Sequence, residues 1–199
     1  MIAFVSGGAR SGKSHVAESL ARQWHRQRGG RRYYFATAMA SDAEMAARIA
    51  RHRRERGDGW ITLEAPVALD EALAGVEAGS TVLLDCLTLW ASQLLYGGGL
   101  NGSGLNGSSV NDSDLGERDG ERLLADVVTL ARSRSIALVV VSNDLNEALV
   151  PSDPEVWRYL AFLQRCHRQL ARDADWVIEV IAGRPVEWKT PWKTSWEAT

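Results

Sequence analysis

The sequence predicts an α/β fold, a mainly parallel sheet flanked by helices in one domain. Three features predict it. Short apolar runs alternate with stretches of helical periodicity along the chain, the pattern of strand–helix–strand units that build parallel sheets. A glycine-rich loop ending in Lys-Ser joins the first apolar run to the first helical stretch. The chain has 199 residues, 45% of them hydrophobic, which fills one core and does not require a second domain.

The elements follow in order. Ile2, Ala3, Phe4 and Val5 read as a buried strand. A helix follows over about 14–28, where Val16, Ala17 and Leu20 recur at helical spacing. A second strand is expected at 33–36 and a second helix at 41–56, opened by the capping-box pair Ser41 and Glu44 and stopped by Gly57. Next come a helix near 68–76, a strand at 81–84, a helical run at 87–95, a helix at 120–134, a strand at 136–142, a helix at 155–173 and a strand at 176–181. After a turn at Gly183 and Arg184, residues 185–189 offer one more strand. One segment breaks the alternation. Residues 97–120 are rich in Gly, Asn and Ser and contain two copies of Leu-Asn-Gly-Ser. Such a composition buries no core, so it reads as a flexible surface insertion in preference to a lid.

Composition narrows the function classes. A net charge of −2 and a pI near 6.1 argue against a nucleic-acid footprint, which shows as strong basicity. No apolar run reaches the length of a membrane span, and the first residues read as a strand with no charged leader before it; a cytoplasmic protein is expected. Cys86 and Cys166 are too few for a disulfide framework and read as buried small hydrophobes. Of eight tryptophans, Trp188, Trp192 and Trp196 crowd the last residues, so the tail is expected to pack on the body or on another subunit.

The loop reads Gly7-x-x-x-x-Gly12-Lys13-Ser14. Gly7, Gly8 and Gly12 let backbone N–H groups turn inward around an anion, and the positive end of the following helix adds to the field. Lys13 reaches toward the outer phosphates of a nucleoside triphosphate, and the Ser14 hydroxyl suits Mg²⁺. An acidic partner for that ion stands at Asp85, at the C-terminal end of the 81–84 strand, the sheet edge that faces ligands in open α/β folds. Capping the next helix is the alternative role. Asp144 is a weaker second candidate, and Asn143 beside it either binds substrate or closes a turn.

The stretch "SDAEMAARIARHRRERGDGW" places Met45, Ile49, His52 and Arg56 on one helix face. Arg48, Arg51, Arg53, Arg54 and Arg56 surround His52 in sequence. Positive neighbours disfavour the imidazolium, and a neutral imidazole is a competent nucleophile. Arginines at this density can clamp nucleotide phosphates. By spacing alone, a solvated basic helix face remains the simpler account.

The blocks "GGARSGKS", "YFATA", "AEMAARIARHRRERGDGWITLEAP" and "LLDCLTLWASQLL", in this order, resemble the bifunctional adenosylcobinamide kinase and adenosylcobinamide-phosphate guanylyltransferase family of cobalamin biosynthesis. "VVVSN" and "AGRPVEWK" resemble its later blocks. The resemblance implies a RecA-like P-loop NTPase fold, a homotrimer, Mg²⁺, and GTP and ATP as substrates. It implies phosphorylation of a corrinoid hydroxyl, followed by transfer of GMP from GTP through a histidine, here His52. Matched residue by residue, Gly7, Gly8, Ala9, Arg10, Ser11, Gly12, Lys13 and Ser14 hold the triphosphate. Ala36, Thr37 and Ala38 border the nucleotide. Arg53, Arg54, Glu55 and Arg56 follow the histidine, and Glu64 and Asp85 fall on nucleotide-contact positions. Residues 144–170 depart from the family pattern: Asp144 to Leu149 replace a Glu and Gly-containing turn, and Cys166, His167 and Arg168 stand near an expected Asn-Gln. Three other functions stay open on the residues alone: a plain P-loop kinase, a nucleotide-driven switch, and a GTP-binding paralogue without corrinoid transfer.

Overall fold

The computed structural model of the protein describes residues 1–38, 43–97, 110–145 and 152–191, without the side chains of Glu44, Met45, Arg48, Glu55 and residues 110–115. Among these residues seven strands form one sheet, in the spatial order β3-β2-β4-β5-β1-β6-β7. They are β1 (Ile2–Gly7), β2 (Arg32–Ala36), β3 (Ile61–Glu64), β4 (Thr81–Asp85), β5 (Ala137–Asn143), β6 (Trp176–Ile181) and β7 (Arg184–Lys189). All neighbours run parallel except the terminal pair β6–β7. Among the described residues six helices connect them: α1 (Lys13–Arg28), α2 (Ala43–Arg56), α3 (Leu69–Ala74), α4 (Leu87–Tyr96), α5 (Val110–Ser133) and α6 (Pro154–Asp173).

The central strands are apolar on both faces because both faces are covered. Alternation divides them. Ile2, Phe4, Val82, Leu84, Leu138 and Val140 pack with α3, α4, α5 and α6, around Trp90 and Phe162. Ala3, Val5, Leu83, Val139 and Val141 face the other way, onto Ala17, Leu20 and Trp24 of α1. Each such Val or Leu removed from water contributes about 1.5–3 kcal/mol before entropy is charged against it. α6 starts where its sequence says it should: Asp153 caps the N–H of Glu155 at 2.8 Å, and Pro154 occupies the first turn.

The expected alternation holds, with four differences. Strand β3 was not anticipated, since four residues at a sheet edge leave little periodic signal. α5 begins at Val110, ten residues ahead of the expected 120. The glycine-rich stretch 97–120 thus divides: 98–109 lie outside the described residues, and from 110 onward the chain is helical. Gly120 sits where α5 crosses its neighbours, and a Cβ there would meet Leu94 Cδ2 at 2.4 Å and Phe162 Cζ at 2.7 Å. It is a packing glycine, not a loop glycine. Among the described residues nothing covers Trp188, which is 70% exposed on the outermost strand β7 and donates to Glu179; of the two placements expected for the tail, that leaves another subunit for this residue. Trp192 and Trp196 lie outside the described residues, as does Ser41 of the expected capping box. Both cysteines are free and buried, as expected.

Candidate active site

Parallel strands deliver their C-terminal ends to one edge, and the chemistry collects there. Register aligns Gly7 with Asn143, Asp85 with Val141, and Ala36 with both Asp85 and Glu64. Four strand ends therefore form one rim: the glycine loop after β1, Thr37 and Ala38 after β2, Asp85 and Cys86 at the end of β4, and Asn143 and Asp144 after β5.

The loop is built as its sequence demands. Gly12 takes a left-handed φ of 92°, which costs a glycine nothing, and α1 begins behind it with no side-chain cap on its first N–H groups. Those uncapped donors and the helix dipole favour an anion. Ser11 N donates to Gly8 O, and Gly183 N, from the β6–β7 turn, donates to Ser11 O. Asp144 N donates to Gly7 O at 2.9 Å, tying the end of β5 to the loop. Lys13 is 8% exposed and its ammonium donates to Gly8 O at 3.0 Å. Burial lowers its pKa, and the Asp85 charge opposes that shift.

Asp85 is the meeting point. Burial pushes its carboxyl above the ordinary range; His52, Lys13, the bond from the Tyr34 hydroxyl, and Arg56 pull it back, in that order. The Tyr34 hydroxyl stands 3.4 Å from Asp85 Oδ2. The Tyr34 hydroxyl of β2 thus bonds the carboxylate at the end of β4, and charges carried by α1 and α2 act on it. Its neighbour Cys86 is held by Thr37, whose fully buried hydroxyl accepts from Cys86 N and donates to Cys86 O, both at 2.9 Å. On the far side, Asn143 donates to Thr88 Oγ1 at 3.3 Å and the Tyr159 hydroxyl donates to Thr88 O at 3.0 Å.

α2 brings the basic segment to this rim. His52, Arg53 and Arg54 are exposed, whereas Arg56 is buried. A cavity of about 550 Å³ is lined by Arg53, Arg54 and Arg56 of α2 and by Trp60 and Thr62.

Against this geometry the comparisons decide the family. Residues 3–188 match the family described as cobinamide kinase / cobinamide phosphate guanyltransferase. The chain belongs to that family. It is 36% identical over 187 residues to the bifunctional adenosylcobalamin biosynthesis protein CobP of Pseudomonas aeruginosa, covering 93% of this chain and 95% of that protein. To the protein CobU of Escherichia coli it is 31% identical over 192 residues, covering 95% of this chain and all of that protein. These relatives are transferases that combine kinase and guanylyltransferase activities in cobalamin biosynthesis. The fold is a mainly parallel seven-stranded sheet flanked by helices. Among solved structures, a KaiC-like protein from Pyrococcus horikoshii superposes with a TM-score of 0.48 at 11% identity, over 89% of this chain and 69% of that one. The flagellar accessory protein FlaH of Methanocaldococcus jannaschii gives 0.47 at 10%, over 95% and 78%.

Within the family's blocks, the residues named from sequence occupy distinct environments. Gly7 through Ser14 make the loop. Ala36 and Ala38 are half-buried on the rim and Glu64 is exposed at the end of β3. Thr37 lies below the surface, its hydroxyl committed to Cys86. Tyr34, Thr88 and Trp60 escaped the sequence reading. The one available signal for Tyr34 was its alternation: two residues before Ala36 on a parallel strand, it shares the sheet face of Asp85. In the departing stretch, Cys166 joins the core and Arg168 is exposed. His167 bonds Ser142 Oγ at 2.7 Å and leans on the Phe4 ring. Among the described residues no helix is long and apolar enough to cross a membrane.

Proposed function

We propose that this protein phosphorylates the hydroxyl of adenosylcobinamide and then transfers GMP from GTP to that phosphate through a guanylyl-histidine at His52. The observation that carries the reading is the setting of Asp85 at the same rim as the glycine loop, bonded by the Tyr34 hydroxyl and subject to the charges of His52, Lys13 and Arg56. Seen from the loop, a triphosphate seated on the α1 N-terminus has its outer phosphates at Lys13 and its α-phosphate toward α2. Ser11 Oγ is buried with no partner among the described residues, and a phosphate oxygen in the loop would satisfy it.

In the first reaction the acceptor hydroxyl oxygen attacks the γ-phosphorus of ATP or GTP, the bond to the β-phosphate bridging oxygen breaks, and the hydroxyl proton is lost to solvent. In the second, a His52 ring nitrogen attacks the α-phosphorus of GTP and pyrophosphate leaves. An oxygen of the corrinoid phosphate then attacks the same phosphorus, the P–N bond breaks, and a diphosphate forms. Two easier displacements replace one hard one. Lys13 offsets charge on the departing phosphates. Arg53 and Arg54, exposed beside the cavity, hold the ribose and base end of the nucleotide, with Glu64, Ala36 and Ala38 along the rim.

The donor set fits Mg²⁺: a hydroxyl at Ser14 and a carboxylate at Asp85 are hard oxygen ligands. Among the described residues no group of three or more His, Cys, Asp or Glu gathers as a metal cage, which suits an ion that completes its shell with phosphate and water. When bound, it would screen phosphate charge as a Lewis acid. The family resemblance further supports a homotrimer working in the cytoplasm.

Covalent labelling tests the reading. Incubation with Mg²⁺ and GTP labelled at the α-phosphate should give an acid-labile label that γ-labelled GTP does not give and His52→Ala does not carry. Intact GTP binding without that label would leave a plain P-loop kinase or a GTP-binding paralogue.

A further inference from the structure

Arg56 stands apart from the arginines around it. Arg53 and Arg54 are exposed; Arg56 is 4% exposed. Its guanidinium lies over the Tyr34 ring, 3.2 Å from the centroid. Tyr34 in turn meets Trp60 edge-on at 6.5 Å, and Arg32 and Arg22 cover the Trp60 ring at 5.2 and 5.9 Å. The backbone at this point is held as well. Arg22 of α1 donates to Arg56 O at 2.5 Å while its guanidinium pairs with Glu18 at 3.6 Å. Gly57 ends the helix with a left-handed φ of 69° and bonds back to Arg54 O. The last turn of α2 is therefore fastened both to the sheet and to α1, the helix that carries the phosphate loop.

His52 stands four residues before Arg56, one turn up the same face. We propose that Arg56 and Tyr34 act as positioning residues for nucleotidyl transfer: the cation–π stack of Arg56 on Tyr34 locks the end of α2 to the sheet and so sets His52 at its working distance from Asp85 and the loop. This rests on the guanylyl-histidine reading above. Arg56 gains its attraction from a desolvated ring face, and Tyr34 spends its hydroxyl on Asp85, so one side chain spans the histidine helix and the acidic strand end. The sequence alone grouped Arg56 with its neighbours as a nucleotide contact; its burial on a ring gives it a different task.

The test separates attack from binding. GTP affinity is measured by equilibrium titration, and the maximal rate of α-label incorporation is measured at saturating GTP and Mg²⁺. Arg56→Met keeps the stem and removes the charge. Tyr34→Leu removes the ring face, and Tyr34→Phe keeps it. Arg56→Met and Tyr34→Leu should each slow labelling by about tenfold or more, the scale of effect a misplaced reacting group produces, with the GTP dissociation constant moved by less than about threefold. The double variant should be no slower than the worse single, since the two side chains act as one device. Tyr34→Phe should retain more of the rate than Tyr34→Leu, which also guards against a fold lost to truncation. A weakened GTP affinity with an unchanged maximal rate would make Arg56 a nucleotide ligand and overturn the proposal, as would multiplying effects in the double variant. If the wild-type protein takes no α-label, the histidine reading fails first and the clamp falls with it; labelling by wild type and Arg56→Met at equal rates sinks the clamp alone.

Discussion

Thr37 has one polar side-chain atom, and both of its hydrogen bonds go to the Cys86 peptide unit. Thr37→Val would leave the buried Cys86 N–H without a partner while keeping the shape, and Cys86 O would still accept from Trp90 N at 3.2 Å. An orphaned buried N–H costs about 1–3 kcal/mol, so urea denaturation should show a loss of that order, and Thr37→Ser should recover most of it. A loss below about 0.5 kcal/mol would mean that the Cys86 peptide finds other partners. His167 offers a second test. Burial lowers its pKa from 6.5 to about 4, with Asp144 opposing, and its ring is engaged by Ser142 and Phe4. The folded protein refuses a proton that the unfolded chain accepts. Its contribution is therefore fully present above pH 6.5, up to about 3 kcal/mol, and is lost as pH falls from 6.5 toward 4. His167→Asn should flatten that acid limb in denaturant titrations; parallel limbs in the two proteins would assign the acid sensitivity elsewhere. Neither role was legible beforehand. The sequence named Thr37 by family matching and His167 as a departure, but a hydroxyl's partners are set by which strand ends meet.

At the scale of elements, α5 and α6 are joined by an ion network that no local pattern announces. Glu117 pairs with Arg158 at 2.7 Å and with Arg165, and Arg165 also pairs with Glu121 at 2.5 Å. Gln169 adds a bond to Glu121 O. Glu117 is nearly buried and meets two guanidinium groups, so Glu117→Gln should destabilise by about 1–3 kcal/mol, less than a fully buried pair because both arginines reach solvent. Thermal melts at low and high salt check this: the wild-type advantage should shrink only modestly with salt, and a null effect would mark the network as surface decoration. The same contact explains why α5 starts ahead of expectation. Averaged over 97–120, the composition looks unstructured. Position by position, Glu117, Gly120, Leu124, Val127 and Ala131 lie on one helix face turned to the body, and small or polar residues are tolerated there because α6 supplies guanidinium partners and a close packing surface. By contrast α1, α4 and α6 were read near their true limits, because caps, Pro154, Gly29 and apolar spacing act within a few residues.

For the whole molecule, the consequence of the rim is linkage between ligand and stability. Nucleotide that binds only the folded state at a hundredfold excess over its Kd adds about 2.7 kcal/mol, which for a chain this size raises Tm by roughly 5–10 °C. GTP with Mg²⁺ should produce that shift in a thermal scan, and Lys13→Ala should abolish it. An unchanged Tm in the wild type would remove the nucleotide from the site altogether. The sequence by itself determined the fold class and the family, and it pointed to the glycine loop and to Asp85 as expectations, because each rests on residues close together in the chain: a strand, a turn and a helix start, or contiguous blocks in a given order. Only the tertiary structure decided that Tyr34 reaches Asp85, that Arg56 lies on a ring instead of in solvent, that Thr37 braces Cys86, and that Glu117 binds α6. These depend on the strand order β2-β4-β5-β1, which brings residues far apart in the chain within hydrogen-bonding reach. A hydrogen bond or a stacked cation is a property of that proximity, and a periodic pattern carries no record of it.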